Sequence, residues 1–203
     1  MRQDERPVAV ILAGGLARRM GGGDKALQRL RRRPLLDHVL DRVRPQVGAV
    51  ALNANGDPAR FAGFGVPVLA DPLPGNPGPL AGILAGMRWA RRAHPGATML
   101  LSVPTDTPLL PADLVARLRQ AKAGQGGAIV CAASQGRLHP VIALWPVALA
   151  EALAEALDAG VRAVADFAAP HGLAVAAFEP AGADPFFNVN APADLAVAAR
   201  LLG

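Results

Sequence analysis

Apolar residues along this chain fall into short continuous runs separated by longer stretches with a helical repeat. The runs Val8–Leu12, Ala49–Asn53, Val66–Ala70, Thr98–Val103, Ala128–Ala132, Val141–Trp145 and Ala174–Phe178 read as strands. Between them, Leu35–Val43, Leu80–Ala93, Ala112–Ala121, Val147–Ala159, Val161–Ala168 and Ala191–Leu202 space their apolar positions as helices do. The early strands are apolar without interruption, as strands covered on both faces are. Alternation of strand and helix favours parallel pairing with right-handed crossovers. The expected fold is therefore α/β, a three-layer sandwich with a mostly parallel, Rossmann-like sheet. No linker or internal repeat divides the 203 residues, so a single domain over residues 1–203 is expected. Pro72, Pro74, Pro77 and Pro79 mark a rigid loop inside it.

In open α/β sheets, ligands bind beyond the carboxyl ends of the strands. Four segments with chemical character fall there. The first follows Val8–Leu12, where Ala13 leads into a loop with five glycines (Gly14, Gly15, Gly21, Gly22, Gly23) together with Arg18, Arg19 and Lys25. Glycines let backbone N–H groups approach an anion, and the three cations add full charge. A polyphosphate is the simplest ligand for that combination. It is not a Walker A loop, because Ala26 follows Lys25 where a Ser or Thr hydroxyl is needed. It is not a dinucleotide fingerprint either, because Gly14 and Gly15 are adjacent.

The second and third segments end in Asn53 and Asp71, which taken alone read equally well as turn formers. The fourth is Ser102-Val103-Pro104-Thr105-Asp106-Thr107-Pro108. Its short acidic turn offers Asp106 as a fixed carboxylate, suited to Mg²⁺, which takes one or two carboxylates plus phosphate oxygens and waters. Its other reading is a turn or cap residue ahead of the helix expected at Ala112.

Charge adds a question. Lys and Arg total 21 against 16 Asp and Glu, and basic chains often bind nucleic acid. Aromatic residues make up only 4% and tyrosine is absent, so stacking platforms are scarce and no nucleic-acid partner is expected. The basic run Arg29, Arg31, Arg32, Arg33 reads as a solvated hairpin or helix flank, or as a docking surface for an anionic phosphate or an acidic partner. No apolar run approaches the ~18 residues of a membrane span, and no secretory signal precedes the first strand. Cys131 stands alone, so no internal disulfide forms. A cytoplasmic protein without a membrane partner is expected.

The pattern Leu12-Ala13-Gly14-Gly15, then Arg19-Met20-Gly21-Gly22, then Asp24-Lys25, resembles the signature of molybdenum cofactor guanylyltransferases. The likeness continues in Pro104-Thr105-Asp106-Thr107-Pro108, in Gly78-Pro79-Leu80-Ala81-Gly82, in His139-Pro140-Val141 and in Phe186-Phe187-Asn188-Val189-Asn190-Ala191-Pro192-Ala193-Asp194-Leu195. It implies a nucleotide-diphosphosugar transferase-like fold and an enzyme that transfers GMP from GTP to molybdenum-molybdopterin, releasing pyrophosphate. Arg19, Lys25 and Asp106 would be catalytic, with Mg²⁺ on Asp106. Leu12, Ala13, Gly14, Gly15, Lys25, Asn53, Asp71, Gly78 and Asp106 would bind GTP. Asp71 would read the guanine edge, or else serve ribose or metal. His139, Asn188 and Asn190 would face the acceptor, although Asn190 also suits a cap on the last helix, with Pro192 in its first turn.

Beyond its substrates, the resemblance implies other molybdenum-cofactor biosynthesis proteins, and acceptor molybdoenzymes or their chaperones, as partners. Arg32 stands where the family often has glycine, which puts the local turn in question. No general base is needed, since a phosphate nucleophile is already ionised. Two alternatives stay open at this level. One is a related nucleotidyltransferase, such as the cytidylyltransferase of the same cofactor or a sugar-phosphate nucleotidyltransferase. The other is a non-catalytic nucleotide- or RNA-binding module.

Overall fold

The computed structural model describes residues 6–14, 24–75, 78–179 and 182–202. Its nine strands are β1 (Val8–Leu12), β2 (Arg29–Leu30), β3 (Arg33–Pro34), β4 (Val50–Asn53), β5 (Val68–Leu69), β6 (Met99–Pro104), β7 (Ile129–Ser134), β8 (Arg137–Pro146) and β9 (Leu173–Ala177). The six α-helices are α1 (Leu35–Val43), α2 (Pro79–Ala93), α3 (Leu114–Gln125), α4 (Ala150–Asp158), α5 (Val164–Ala168) and α6 (Pro192–Leu201). Seven strands form one sheet in the order β5-β4-β1-β6-β8-β7-β9. All pairings are parallel except those of β8, which runs against both neighbours.

Side chains alternate across β1 and divide the core in two. Ala9 and Ile11 join Leu36, Val39 and Leu40 of α1 and Leu114 and Leu118 of α3 on one face. Val8 and Val10 join Leu80, Ile83 and Met87 of α2 and Leu153 and Leu157 of α4 on the other. This is the expected three-layer sandwich. A Cβ built on Gly86 would fall 2.8 Å from Val10 Cβ, so a bare backbone there lets α2 lie close on β1.

Two local features depart from the sequence reading, and the basic run takes the hairpin form among those the sequence allowed. β8 begins four residues before the expected Val141 and pairs with β7 through a two-residue hairpin. Gln135 (φ +50°) and Gly136 (φ +72°) supply the two positive φ values such a tight turn demands. The basic run resolves as the hairpin β2–β3, whose turn holds Arg31 (φ +49°) and Arg32 (φ +68°) in the left-handed region. A glycine would adopt that backbone without strain. Finally, the helix expected from Val147 opens with a 3₁₀ turn before α4.

Candidate active site

The site is built on the C-terminal ends of β1, β4, β5 and β6. The ends are tied together by the backbone: Ala13 N–H donates to Asn53 O at 2.8 Å, and Thr105 N–H to Leu12 O at 3.2 Å. Around them opens a cleft of about 330 Å³ lined by Leu12, Gly14, Lys25, Asn53, Asp71, Gly78, Thr105 and Asp106, with Pro79, Pro104 and Val141. Eight of the sequence-expected positions are therefore settled in space. Seven line this one cleft. The eighth, Ala13, gives its side chain to the core and its N–H to Asn53. Gly15 and Arg19 lie outside the described residues.

One wall reads as a rigid carboxylate. Asn53 Nδ2 donates to Asp71 Oδ1 at 2.9 Å and to Leu69 O at 3.1 Å. Asn55 closes the other side reciprocally: its Nδ2 donates to Asp71 Oδ2 at 2.6 Å and its Oδ1 accepts from Asp71 N–H at 2.9 Å. Each Asp71 oxygen keeps a further lone pair for a donor in the cleft. Arg60 joins this wall to the end of the glycine loop, donating from Nε to Asp24 Oδ2 and from its NH groups to the carbonyls of Asn55 and Asp57. Asn55 and Arg60 carry no motif of their own. Only the Asn-x-Asn spacing of Asn53 and Asn55 hints at the pairing.

The opposite wall carries the cation and the acid. Lys25 Nζ lies 2.6 Å from Asp106 Oδ2 and 2.6 Å from Asn190 Oδ1, with Lys25 and Asp106 side chains only 12% and 22% exposed. Asp106 is no helix cap, since α3 starts at Leu114 behind Asp113. Asn190 is not a cap either, contrary to one reading of its position. Ala191 holds that place, and Asp194 Oδ2 accepts from Asn190 N–H and Ala191 N–H, which frees the Asn190 amide to reach Lys25. Asn188 Oδ1 accepts from the buried Thr107 hydroxyl at 2.8 Å, and Val189 N–H donates to Asp106 O at 2.8 Å. The Asn188–Asn190 segment is thereby clamped onto the acidic turn.

Among the described residues no group of three or more His, Cys, Asp and Glu side chains could hold a metal ion. A single carboxylate beside an amide oxygen, both already directed at a cation, suits a hard ion that completes its shell with phosphate and water. It does not suit the closed nitrogen–sulfur sites of zinc.

A second cavity of about 230 Å³ meets the first at Pro104, Asp106 and Val141, and adds Arg137, Leu138, His139, Pro140, Ile142 and Asn188. Its wall comes from an irregularity in β8. Register against β7 jumps from Cys131↔Ala143 to Ala132↔His139, so Pro140–Ile142 bulge out of the ladder. Pro140 is tolerated there because a bulge asks no ladder N–H of it. The carbonyl of Val141 accepts instead from the buried Ser102 hydroxyl at 2.6 Å, and Trp145 Nε1 donates to the same hydroxyl at 2.8 Å. His139 is 9% exposed, lies against the Phe186 ring at 4.8 Å and places Nε2 2.8 Å from Ser134 Oγ. Burial pushes its pKa below the ordinary value, with Arg137 acting the same way and Asp184 opposing.

Two cavities thus share one carboxylate. That geometry suits a donor in the first, an acceptor in the second, and group transfer beside Asp106.

A family model described as the MobA-like NTP transferase domain matches residues 9–190. The chain is 55% identical over 194 residues to a molybdenum cofactor guanylyltransferase of Rhodopseudomonas palustris (strain BisB5), covering 95% of this chain and 92% of that one. Among solved structures it resembles molybdopterin-guanine dinucleotide biosynthesis protein A from Archaeoglobus fulgidus, with a TM-score of 0.74 at 20% identity, over 96% of this chain and 98% of that chain. It also resembles Rv0371C of Mycobacterium tuberculosis in complex with manganese, with a TM-score of 0.64 at 18% identity, over 96% and 98% of the two chains. At such identities the two structures support the fold.

Proposed function

The chain belongs to the molybdenum cofactor guanylyltransferases, which carry the MobA-like NTP transferase domain, and from that premise we propose the reaction and the roles of its residues. The enzyme transfers GMP from GTP to the terminal phosphate of molybdenum-molybdopterin. An oxygen of that phosphate attacks the α-phosphorus of GTP, the bond to the bridging oxygen breaks, and pyrophosphate leaves. The nucleophile arrives ionised, so positioning and charge stabilisation carry the reaction.

The observation that carries this reading is the junction of the two cavities at Asp106. GTP occupies the larger cleft, with its triphosphate toward Gly14 and Lys25 and its base toward Asp71. Lys25, with Arg19 from the glycine loop, neutralises the triphosphate and the departing pyrophosphate. Asp71, held between Asn53 and Asn55, accepts from the N1–H and amino group of guanine, an edge that cytosine lacks. Asp106 would hold the divalent metal, and the Asn190 amide oxygen, directed at the same Lys25 ammonium, would lie beside it. That metal, Mg²⁺ in this reading, would supply Lewis-acid stabilisation of the charge that develops in the transfer. Asn188 and His139 line the acceptor side.

Thermal stabilisation of the protein by each nucleotide with Mg²⁺ tests base choice. GTP should raise Tm well beyond CTP, UTP or ATP at equal concentration. Equal shifts, or a larger shift with CTP, would overturn the guanine assignment.

A further inference from the structure

Behind His139, which lines the second cavity, runs a chain of polar groups that the transfer reaction itself does not use. Ser134 Oγ donates to Asp184 Oδ1 at 2.8 Å and lies 2.8 Å from His139 Nε2. Phe186 N–H donates to the same Asp184 oxygen at 2.9 Å, which fixes the carboxylate. Ser134 is buried, and a hydroxyl has one proton to give. A carboxylate can only accept, so that proton points at Asp184. The contact between Ser134 and His139 is then favourable only if Nε2 carries the imidazole proton and donates. The ring's other nitrogen, Nδ1, is left with its lone pair.

No described side-chain nitrogen or oxygen is both fully buried and without a partner. Nδ1 has no hydrogen-bond partner among the described residues, and His139 lines the cavity, so Nδ1 opens toward it. Around it stand Leu138, 44% exposed, and the bulged Pro140 and Ile142, with Arg137 at the rim. Apolar faces beside one acceptor nitrogen and one guanidinium suit a flat heterocycle that carries an N–H donor and an anionic arm.

We propose that Ser134 and Asp184 form a relay that locks His139 as its Nε2–H tautomer, making Nδ1 a hydrogen-bond acceptor for an N–H group on the ring of the acceptor substrate. The assignment rests on the reading of the second cavity as the acceptor side. Ser134 and Asp184 are positioning residues in it, acting on the substrate through His139. Burial of His139 lowers its pKa below the ordinary value, which favours the neutral ring and the Nδ1 lone pair. Nothing local in the sequence joins the three residues. His139 follows Ser134 across a hairpin, whereas Asp184 reaches them from 50 residues further on.

Two measurements on the full chain test this. Long-range ¹⁵N–¹H spectra of the histidine rings, with His139 assigned by its loss in His139→Gln, read the tautomer directly. The wild type should show Nε2–H, and Ser134→Ala should show a mixture. An Nδ1–H ring in the wild type overturns the relay. In steady-state assays with GTP and molybdenum-molybdopterin, Ser134→Ala should raise KM for the acceptor by roughly two- to fivefold, the factor by which the share of the Nε2–H ring falls. KM for GTP should not change, and Ser134→Thr, which keeps the hydroxyl, should restore the wild-type value. A rise in both KM values, or in neither, overturns the acceptor role. A wild type with the expected tautomer but no dinucleotide product would overturn the functional reading and the acceptor role with it, while the relay stands.

Discussion

Gly82 offers a test in which one methyl group reports on both fold and site. It lies in the first turn and a half of α2, above the ends of β1 and β4. A Cβ there would fall 2.2 Å from Asn53 Oδ1, 2.8 Å from Asn53 Cγ and 2.7 Å from Leu12 Cδ2. Relief requires α2 to lift by about an ångström or Asn53 to swing away. Lifting strains a well-packed layer at about 1–3 kcal/mol. Swinging breaks the bonds from Asn53 to Leu69 O and Asp71, and a hydrogen bond to a charged group is worth about 1.5–3 kcal/mol. The helix propensity of alanine over glycine returns about 1 kcal/mol. Gly82→Ala should therefore lose about 1 kcal/mol of stability, a fall in Tm of roughly 2–4 °C for a chain of this size. GTP affinity should drop roughly tenfold, because Asp71 loses its anchor.

Gly124 in α3 provides the control, since a Cβ there meets nothing within 4 Å. Gly124→Ala should stabilise by up to about 1 kcal/mol. Urea titrations and calorimetric GTP binding of both variants decide the matter. A Gly82→Ala protein as stable as the wild type, with unchanged GTP affinity, would refute the packing argument.

Asp106→Asn should keep the fold and lower turnover by roughly 10²-fold or more even at saturating Mg²⁺, the scale of losing one strong electrostatic stabiliser; near-normal turnover at limiting Mg²⁺ would remove it as metal ligand. Lys25→Ala should weaken GTP, ITP and ATP in similar proportion in binding titrations, and a change in base preference alone would reassign it. Asp71→Ala should weaken GTP about ten- to a hundredfold and CTP much less, whereas equal losses would turn Asp71 into a ribose, metal or turn residue. Because burial lowers the pKa of native His139 below its ordinary value of 6.5, the unfolded chain takes up the proton first as pH falls. Stability measured by denaturant titration should decline as pH drops through that ordinary value, until the lower native pKa is reached. His139→Gln should flatten that decline, and an identical slope would contradict the assignment.

Much of this architecture is written locally. The apolar runs of β1 and β6 and the boundaries of α1 follow from patterning alone; Asn53, Asp71 and Asp106 stand out because they fall at strand ends, and Lys25 because it is a cation of the glycine-rich loop. What escaped the sequence depends on distant partners. The first four residues of β8, Arg137-Leu138-His139-Pro140, hold one aliphatic residue among polar ones and a proline and look like a loop, yet the Gln135-Gly136 turn folds them back on β7. Asn190 reads as a cap because Pro192 follows, but Asp194 satisfies the helix start and the amide turns to Lys25. The Asn53–Asp71–Asn55 brace and the Ser134–His139–Asp184 chain each join residues on separate elements.

We place guanylyl transfer where the two cavities meet at Asp106. Incubating the protein with Mg²⁺, molybdenum-molybdopterin and either GTP or CTP, while measuring pyrophosphate and the dinucleotide product together, tests it most directly. Equal amounts of pyrophosphate and guanine dinucleotide should form with GTP, and little of either product with CTP. Preferential product with CTP, or GTP bound with no pyrophosphate released, would contradict it.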